Sequence, residues 1–187
     1  MPHVRSSLRL DEKRSALMVI DVQEKLCPVI PMASAIESEI VRLANAATVL
    51  SIPSAATVQY PRGLGPLVSS LQNAFPKPEE KVDFSAAACR NALDRWLQAG
   101  RDQIVICGIE THICILQTVL DLLAEGLRPF VVVQAVGSRH REDHELALRR
   151  MRDCGATLIG VESVLFEWLQ TARRAEFKAI SQLVKSS

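Results

Sequence analysis

Residues 103–124, QIVICGIETHICILQTVLDLLA, decide how this chain folds. After Gln103 the next four are apolar and rich in β-branched side chains, the mark of a strand buried on both faces. From Thr111 to Ala124 the apolar positions instead recur at three- and four-residue steps, the mark of a helix. Gly108 stands between the two periods, where a sharp turn is needed, and Thr111 can cap the helix. A strand running directly into a helix is half of a parallel βαβ unit.

The same alternation extends in both directions. Strand-like runs occupy 16–22, 54–58, 103–107, 129–136 and 156–160, and helical periodicity covers 33–50, 85–99, 111–124 and 141–154. One or two further helices reach Val184. Gly100, Gly126 and Gly155 follow predicted helices, where a left-handed residue closes the last turn. The expected fold is α/β: a three-layer α/β/α, doubly wound parallel sheet, in a single domain over 1–187. A length of 187 residues suits one domain, and 48% hydrophobic residues supply its core.

Composition also excludes function classes. A formal net charge of +1 gives no electrostatic case for nucleic acid or a membrane surface. No apolar run approaches the ~18–20 residues of a membrane helix, and the first residues lack the apolar core of a secretory signal. The five cysteines (27, 89, 107, 114 and 154) are odd in number and lack C-x-x-C spacing. They suit a reducing, cytoplasmic setting better than a disulfide framework.

Residues 59–84, QYPRGLGPLVSSLQNAFPKPEEKVDF, break the alternation with Pro61, Pro66, Pro76 and Pro78. A long connection after the second strand sits near the carboxyl ends of the sheet, where open α/β folds bind ligands. It is expected to be an irregular pocket wall or lid.

Three positions can carry chemistry. Asp21 ends the first strand, where a carboxylate against an apolar run needs a cation or has its pKa raised; it can equally be a helix N-cap or a solvated strand end. Cys114 falls in the first turn after the third strand-like run, where the helix dipole favours a thiolate and backbone N–H groups can bind an oxyanion. It can equally be a small buried cysteine among Ile113, Ile115 and Leu116. Lys81 lies between acidic neighbours and reads on composition as a solvated charge. The other four cysteines read as packing residues. His140 and His144 have a metal-compatible spacing but open a charged helix with no third ligand in view, so a solvated face is expected. No G-x-G-x-x-G or Walker-type loop occurs.

Asp21, Lys81 and Cys114, in this order, resemble the Asp–Lys–Cys triad of the isochorismatase-like cysteine hydrolases. The likeness runs from about Ala16 to Gly160 and is most specific at residues 108–115, GIETHICI. The segments ending in Asp21-Val22-Gln23 and running from Lys81 to Phe84-Ser85 are independent matches. The resemblance implies a Rossmann-like hydrolase fold in which Asp21 is the general base and Lys81 holds the carboxylate ionised and depresses the thiol pKa. Cys114 then attacks a carbonyl to give a thioester. It also implies a cis peptide at Ile109–Glu110, an oxyanion hole from the N–H groups of Glu110 and Cys114, and a homo-oligomer. Gln59, Tyr60 and His112 are expected to line the pocket of a small-molecule substrate.

The stretch Thr57-Val58-Gln59-Tyr60-Pro61 lacks the Asp-x-His element of zinc-containing nicotinamidases, so no metal or other cofactor is expected. Cys114 argues against a vinyl-ether substrate, because true isochorismatases lack it. Residues 59–66 look like the branch of isochorismatase domain-containing proteins and their bacterial relatives. The leading expectation is a metal-independent hydrolase of a small amide or related C–N bond; the alternative is a non-catalytic binding or interaction protein on the same fold. On the first reading Cys114 should alkylate ahead of the other cysteines, and Asp21→Asn should slow it. Leu165, Phe166, Trp168 and Leu169 form an apolar cluster that is core or interface.

Overall fold

β1 (Ser15–Ile20) is buried along its whole length, and its side chains divide between two cores. Leu17 and Val19 face one helical layer; Ala16, Met18 and Ile20 face the other. Period-two alternation in an all-apolar strand requires a cover on each side. A computed structural model of the chain describes residues 4–185.

Six parallel strands form one sheet in the order β3-β2-β1-β4-β5-β6. The others are β2 (Ser54–Gln59), β3 (Glu79–Lys81), β4 (Gln103–Ile109), β5 (Arg128–Gly137) and β6 (Thr157–Ile159). On one face, Ile40 and Leu43 of α1 (Ala33–Val49) pack with Trp168 of α7 (Val161–Leu169) and Ile180 of α8 (Phe177–Lys185). On the other lie Leu93 and Trp96 of α4 (Arg90–Gln98), Val119 and Leu122 of α5 (Leu116–Ala124), and Met151 of α6 (Arg141–Asp153). The three-layer, doubly wound α/β architecture is therefore as expected. Leu165, Trp168 and Leu169 belong to the core, and only Phe166 of that cluster is exposed.

The chain leaves β1 outward through β2 to β3, then returns to lay β4 against the other edge of β1. The gap between the carboxyl ends of β1 and β4 is the topological switch point, where such sheets form crevices.

Four local expectations change. The connection after β2 is structured: it holds the single-turn helices α2 (Pro61–Leu64) and α3 (Ser69–Gln72), and the edge strand β3. A three-residue strand reading Glu-Glu-Lys has no apolar pattern to announce it, and sheet edges tolerate charge. β1 stops at Ile20, because Asp21 takes φ +56 and leaves the strand. The helix expected over 85–99 begins as a 3-10 turn, Ala86–Ala88, ahead of α4. The turn after β4 is π-helical over Thr111–Ile115. Thr111 does not cap it: its Oγ1 pairs with His144 Nδ1 at 2.9 Å.

Candidate active site

Three strand ends supply the residues of interest. Asp21 occupies the left-handed turn just past β1, a conformation aspartate tolerates better than most residues. Its N–H donates to Thr57 O (3.2 Å), and its Oδ1 accepts from Thr57 Oγ1 (2.8 Å). Lys81 closes β3, where alternation exposes Glu80 and turns Lys81 inward. Lys81 Nζ lies 2.6 Å from Asp21 Oδ2, with side-chain exposures of 2% and 0%. Nζ also donates to Gln59 Oε1 (2.6 Å), Phe84 O (3.1 Å) and Asp83 O (3.2 Å).

Those three acceptors match the three ammonium protons. Asp21 Oδ2 touches the cation but accepts no aligned hydrogen bond, which leaves its lone pair open to another donor. The Cys114 thiol, in the turn after β4, interacts with both Asp21 and Lys81. The structure thus brings together all three residues singled out in the sequence, and Lys81 is a buried cation rather than a solvated one.

The state of the thiol differs from expectation. Burial pushes Cys114 up to about 12, the Asp21 charge acts in the same direction, and Lys81 opposes them without prevailing. Desolvation of the anion outweighs one nearby cation. The thiol is thus held toward its neutral form beside the Lys81–Asp21 pair. Cys114 is 7% exposed, so Cys154, exposed past α6, should alkylate ahead of it, the reverse of the order expected from the sequence. Cys89 and Cys107 are buried as expected, and Cys27 is half-buried.

Around the triad, the Ile109–Glu110 peptide is cis. Glu110 is buried, and its Oε2 accepts from Arg139 N (3.0 Å) and Nε (3.1 Å). Gln59 uses both ends of its amide on the protein: Oε1 accepts from Lys81, and Nε2 donates to Val82 O (2.7 Å). Tyr60 is exposed at φ +38 and, with Pro61, Arg62, Glu80, Lys81 and Val82, lines a cavity of about 350 Å³. His112 turns toward the start of α6, with Nδ1 3.0 Å from Ser138 Oγ and Nε2 3.9 Å from Asp143 Oδ2.

Supporting residues escaped the sequence reading. Gln23 is fully buried; its Nε2 donates to Gln59 O (3.0 Å) and Gly65 O (2.7 Å), and its Oε1 accepts from Gln59 N (2.7 Å). It ties the end of β2 to the following loop. Thr57 orients Asp21. For Thr57 a polar side chain in an otherwise apolar buried run was the available signal, whereas Gln23 is followed by the exposed, charged Glu24 and Lys25 and gave none. His144 is half-buried against Thr111 rather than on a solvated face, and burial moves its imidazole below its ordinary pKa. Among the described residues, no group of three or more His, Cys, Asp or Glu is placed to hold a metal ion.

The buried thiols carry a pH signature. Cys107 is pushed up by burial alone. A thiol whose pKa is higher folded than unfolded contributes its full stability below about pH 8.5, the unfolded value, and loses it as pH rises toward the folded one. Cys107 and Cys114 together should therefore cost about 2–3 kcal/mol of stability per pH unit above about pH 9. Urea midpoints between pH 8 and 10.5 measure this, and Cys107→Ala should flatten the slope.

Comparison with known proteins places this geometry in context. The isochorismatase domain family model matches residues 15–163. The mouse isochorismatase domain-containing protein 2A is 40% identical over 189 residues, covering 99% of this chain and 90% of its own length. Among solved structures, the MAR1 ribonuclease from Caenorhabditis elegans superposes with a TM-score of 0.89 at 35% identity, covering 96% of this chain and 93% of that one. The YcaC gene product from Escherichia coli, an octameric hydrolase of unknown specificity, gives 0.83 at 23% identity and covers 98% of each chain. That last likeness is one of fold.

Proposed function

This chain belongs to the isochorismatase family, whose hydrolase fold it has, and from that premise we propose that it is a metal-independent cysteine hydrolase of a small amide or related C–N bond. The observation that carries the proposal is the buried Lys81–Asp21 pair acting on the Cys114 thiol. A buried ion pair is poor structural cement, since apolar residues of similar size commonly do as well. A pair set against a nucleophile in a switch-point crevice has a chemical use.

On this reading Asp21 Oδ2 takes the thiol proton as Sγ attacks the substrate carbonyl. The resulting oxyanion is held by the N–H groups of Glu110 and Cys114. Asp21 then protonates the departing amine, leaving an acyl thioester on Cys114. Water attacks the thioester, giving up a proton to Asp21, and that proton returns to sulfur as the acid leaves. Lys81 pairs with the Asp21 carboxylate and offsets the charge that moves onto sulfur. Gln59 holds Lys81, while Tyr60 and the cavity beside it receive substrate.

The five free thiols suit a reducing, cytoplasmic compartment. Exposed Val82, Phe84 and Phe166 and the octameric E. coli protein of this fold support a homo-oligomer.

A screen of small primary and secondary amides with wild type, Cys114→Ala and Cys154→Ala tests the proposal. Cys114→Ala should lose at least about 10³-fold in hydrolysis, as expected for a missing nucleophile, and Cys154→Ala should lose nothing. Turnover that survives Cys114→Ala would refute it. An RNA substrate belongs in the screen because of the worm ribonuclease's name; a net charge of +1 offers no excess of cations for phosphates.

A further inference from the structure

Thr118 sits one turn beyond Cys114 on α5 and is fully buried. Its Oγ1 donates to Cys114 O at 2.6 Å and accepts from Ala86 N–H at 2.7 Å. The first bond alone is ordinary, since a mid-helix threonine commonly returns its hydroxyl to the carbonyl four residues back. The second is not, because Ala86 is 32 residues away and belongs to the segment that carries the lysine's acceptors.

Ala86 opens the 3-10 turn that follows Phe84 and Ser85. Phe84 O and Asp83 O both accept from Lys81 Nζ, and Ser85 Oγ accepts from Ala87 N at 3.2 Å to fix the turn. A continuous path therefore runs from the Cys114 carbonyl through the Thr118 hydroxyl, the Ala86 amide and the Phe84 carbonyl to the Lys81 ammonium. Only a hydroxyl both donates and accepts at one atom. We propose that Thr118 is a positioning residue whose hydroxyl clamps the lysine-bearing segment to the turn that presents Cys114. The role rests on the hydrolase reading above, because it matters only if Lys81 and Cys114 work together.

Without the hydroxyl, the Ala86 amide and its segment lose their tie to α5. The cup that holds Lys81 can then drift from the nucleophile while Asp21 stays on β1. The charged groups bearing on Cys114 are Asp21, at the end of β1, and Lys81, at the end of β3; a substitution at 118 changes neither chemically.

The test follows alkylation of Cys114 by iodoacetamide between pH 7 and 11, by peptide mass spectrometry, with Cys154 as the internal reference. Thr118→Val, which keeps the shape and removes the hydroxyl, should move the Cys114 profile to higher pH and slow alkylation at pH 9 about three- to tenfold. Thr118→Ser should stay within twofold of wild type, and Cys154 should not respond. A valine variant that melts lower but leaves the Cys114 profile in place would overturn the proposal, as would a serine variant shifted like valine. Should the valine variant fail to fold, Thr118→Ala is compared with Thr118→Ser on the same terms. Survival of amide hydrolysis in Cys114→Ala is a separate result, and it strikes the hydrolase reading alone.

Discussion

Asp21→Asn should lower amide hydrolysis about 10²–10⁴-fold, the usual worth of a general base, and at the same time speed alkylation of Cys114. The two readouts move apart because Asp21 plays opposite parts in them. In the proposed mechanism it is the proton acceptor in both half-reactions, and an amide cannot replace it. For the resting thiol it is a nearby anion that helps hold the pKa up. Asparagine removes that charge and leaves Lys81 as the only ionised neighbour in direct contact, so the thiolate becomes easier to form. The sequence alone suggested the reverse, a slower alkylation.

The substitution also bears on stability. Removing one partner of a buried pair typically costs about 3–5 kcal/mol, because the remaining charge is stranded. Here Cys114 can take over as the anion, so the loss should shrink as pH rises. Rates of Cys114 alkylation and amide hydrolysis on one preparation check the pair of effects. A parallel fall in both would show that Asp21 does not set the thiol's state.

Gly108→Ala should damage the fold more than any change at the triad. Gly108 pairs with Ile20 in the β1–β4 ladder and has φ +123. A Cβ there would lie 2.0 Å from Ile20 O and 2.7 Å from Ile20 N, both backbone atoms of the neighbouring strand. Neither can swing aside as a side chain could, so the central strands would have to separate. Such a clash together with backbone strain belongs to the tail of point-mutant effects, above about 4 kcal/mol. For a chain of this size that is a fall in Tm of roughly 10 °C or more. Gly100→Ala is the matched control: its φ of +74 is also positive, but nothing lies within 4 Å of the added carbon. Calorimetry on the two variants separates strain from collision, and a Gly108→Ala protein melting alongside Gly100→Ala would contradict the close approach of β1 and β4.

How much of this was legible in the sequence depended on the scale of the cause. The α/β alternation is local periodicity, and it located five of the six strands. Asp21 and Cys114 could be singled out because each interrupts an apolar run with a reactive group. Lys81 could not be placed the same way. Its acidic neighbours read as a solvated face, yet in a three-residue strand the pleat buries Lys81 and exposes Glu80, while Val82 beyond it is also exposed. The upward push on the Cys114 thiol was not legible for a related reason. A helix terminus and a lysine are visible in sequence, whereas the desolvation that outweighs them exists only once three strand ends have met. Gln23 and Thr118 stayed unread, and Gln59 was singled out only as a pocket residue and not as the lysine's partner, because their partners lie 22 to 42 residues away, as at Gln59–Lys81 and Gln23–Gly65.

The placement of Lys81 has a consequence for how activity is lost. Asp21 and Cys114 follow the two central strands, but the ammonium arrives on the sheet's margin, held by a ladder of Thr57–Glu79, Val58–Glu80 and Gln59–Lys81. Short marginal segments open at free energies well below that of global unfolding. Each such opening withdraws the cation and leaves the other five strands in place. On the proposed mechanism this is a built-in fuse: catalysis should fail under mild denaturing stress while the main body of the sheet stays native. The Tyr60 amide, which donates to Lys81 O at 3.0 Å, is the hydrogen-exchange gauge for that opening.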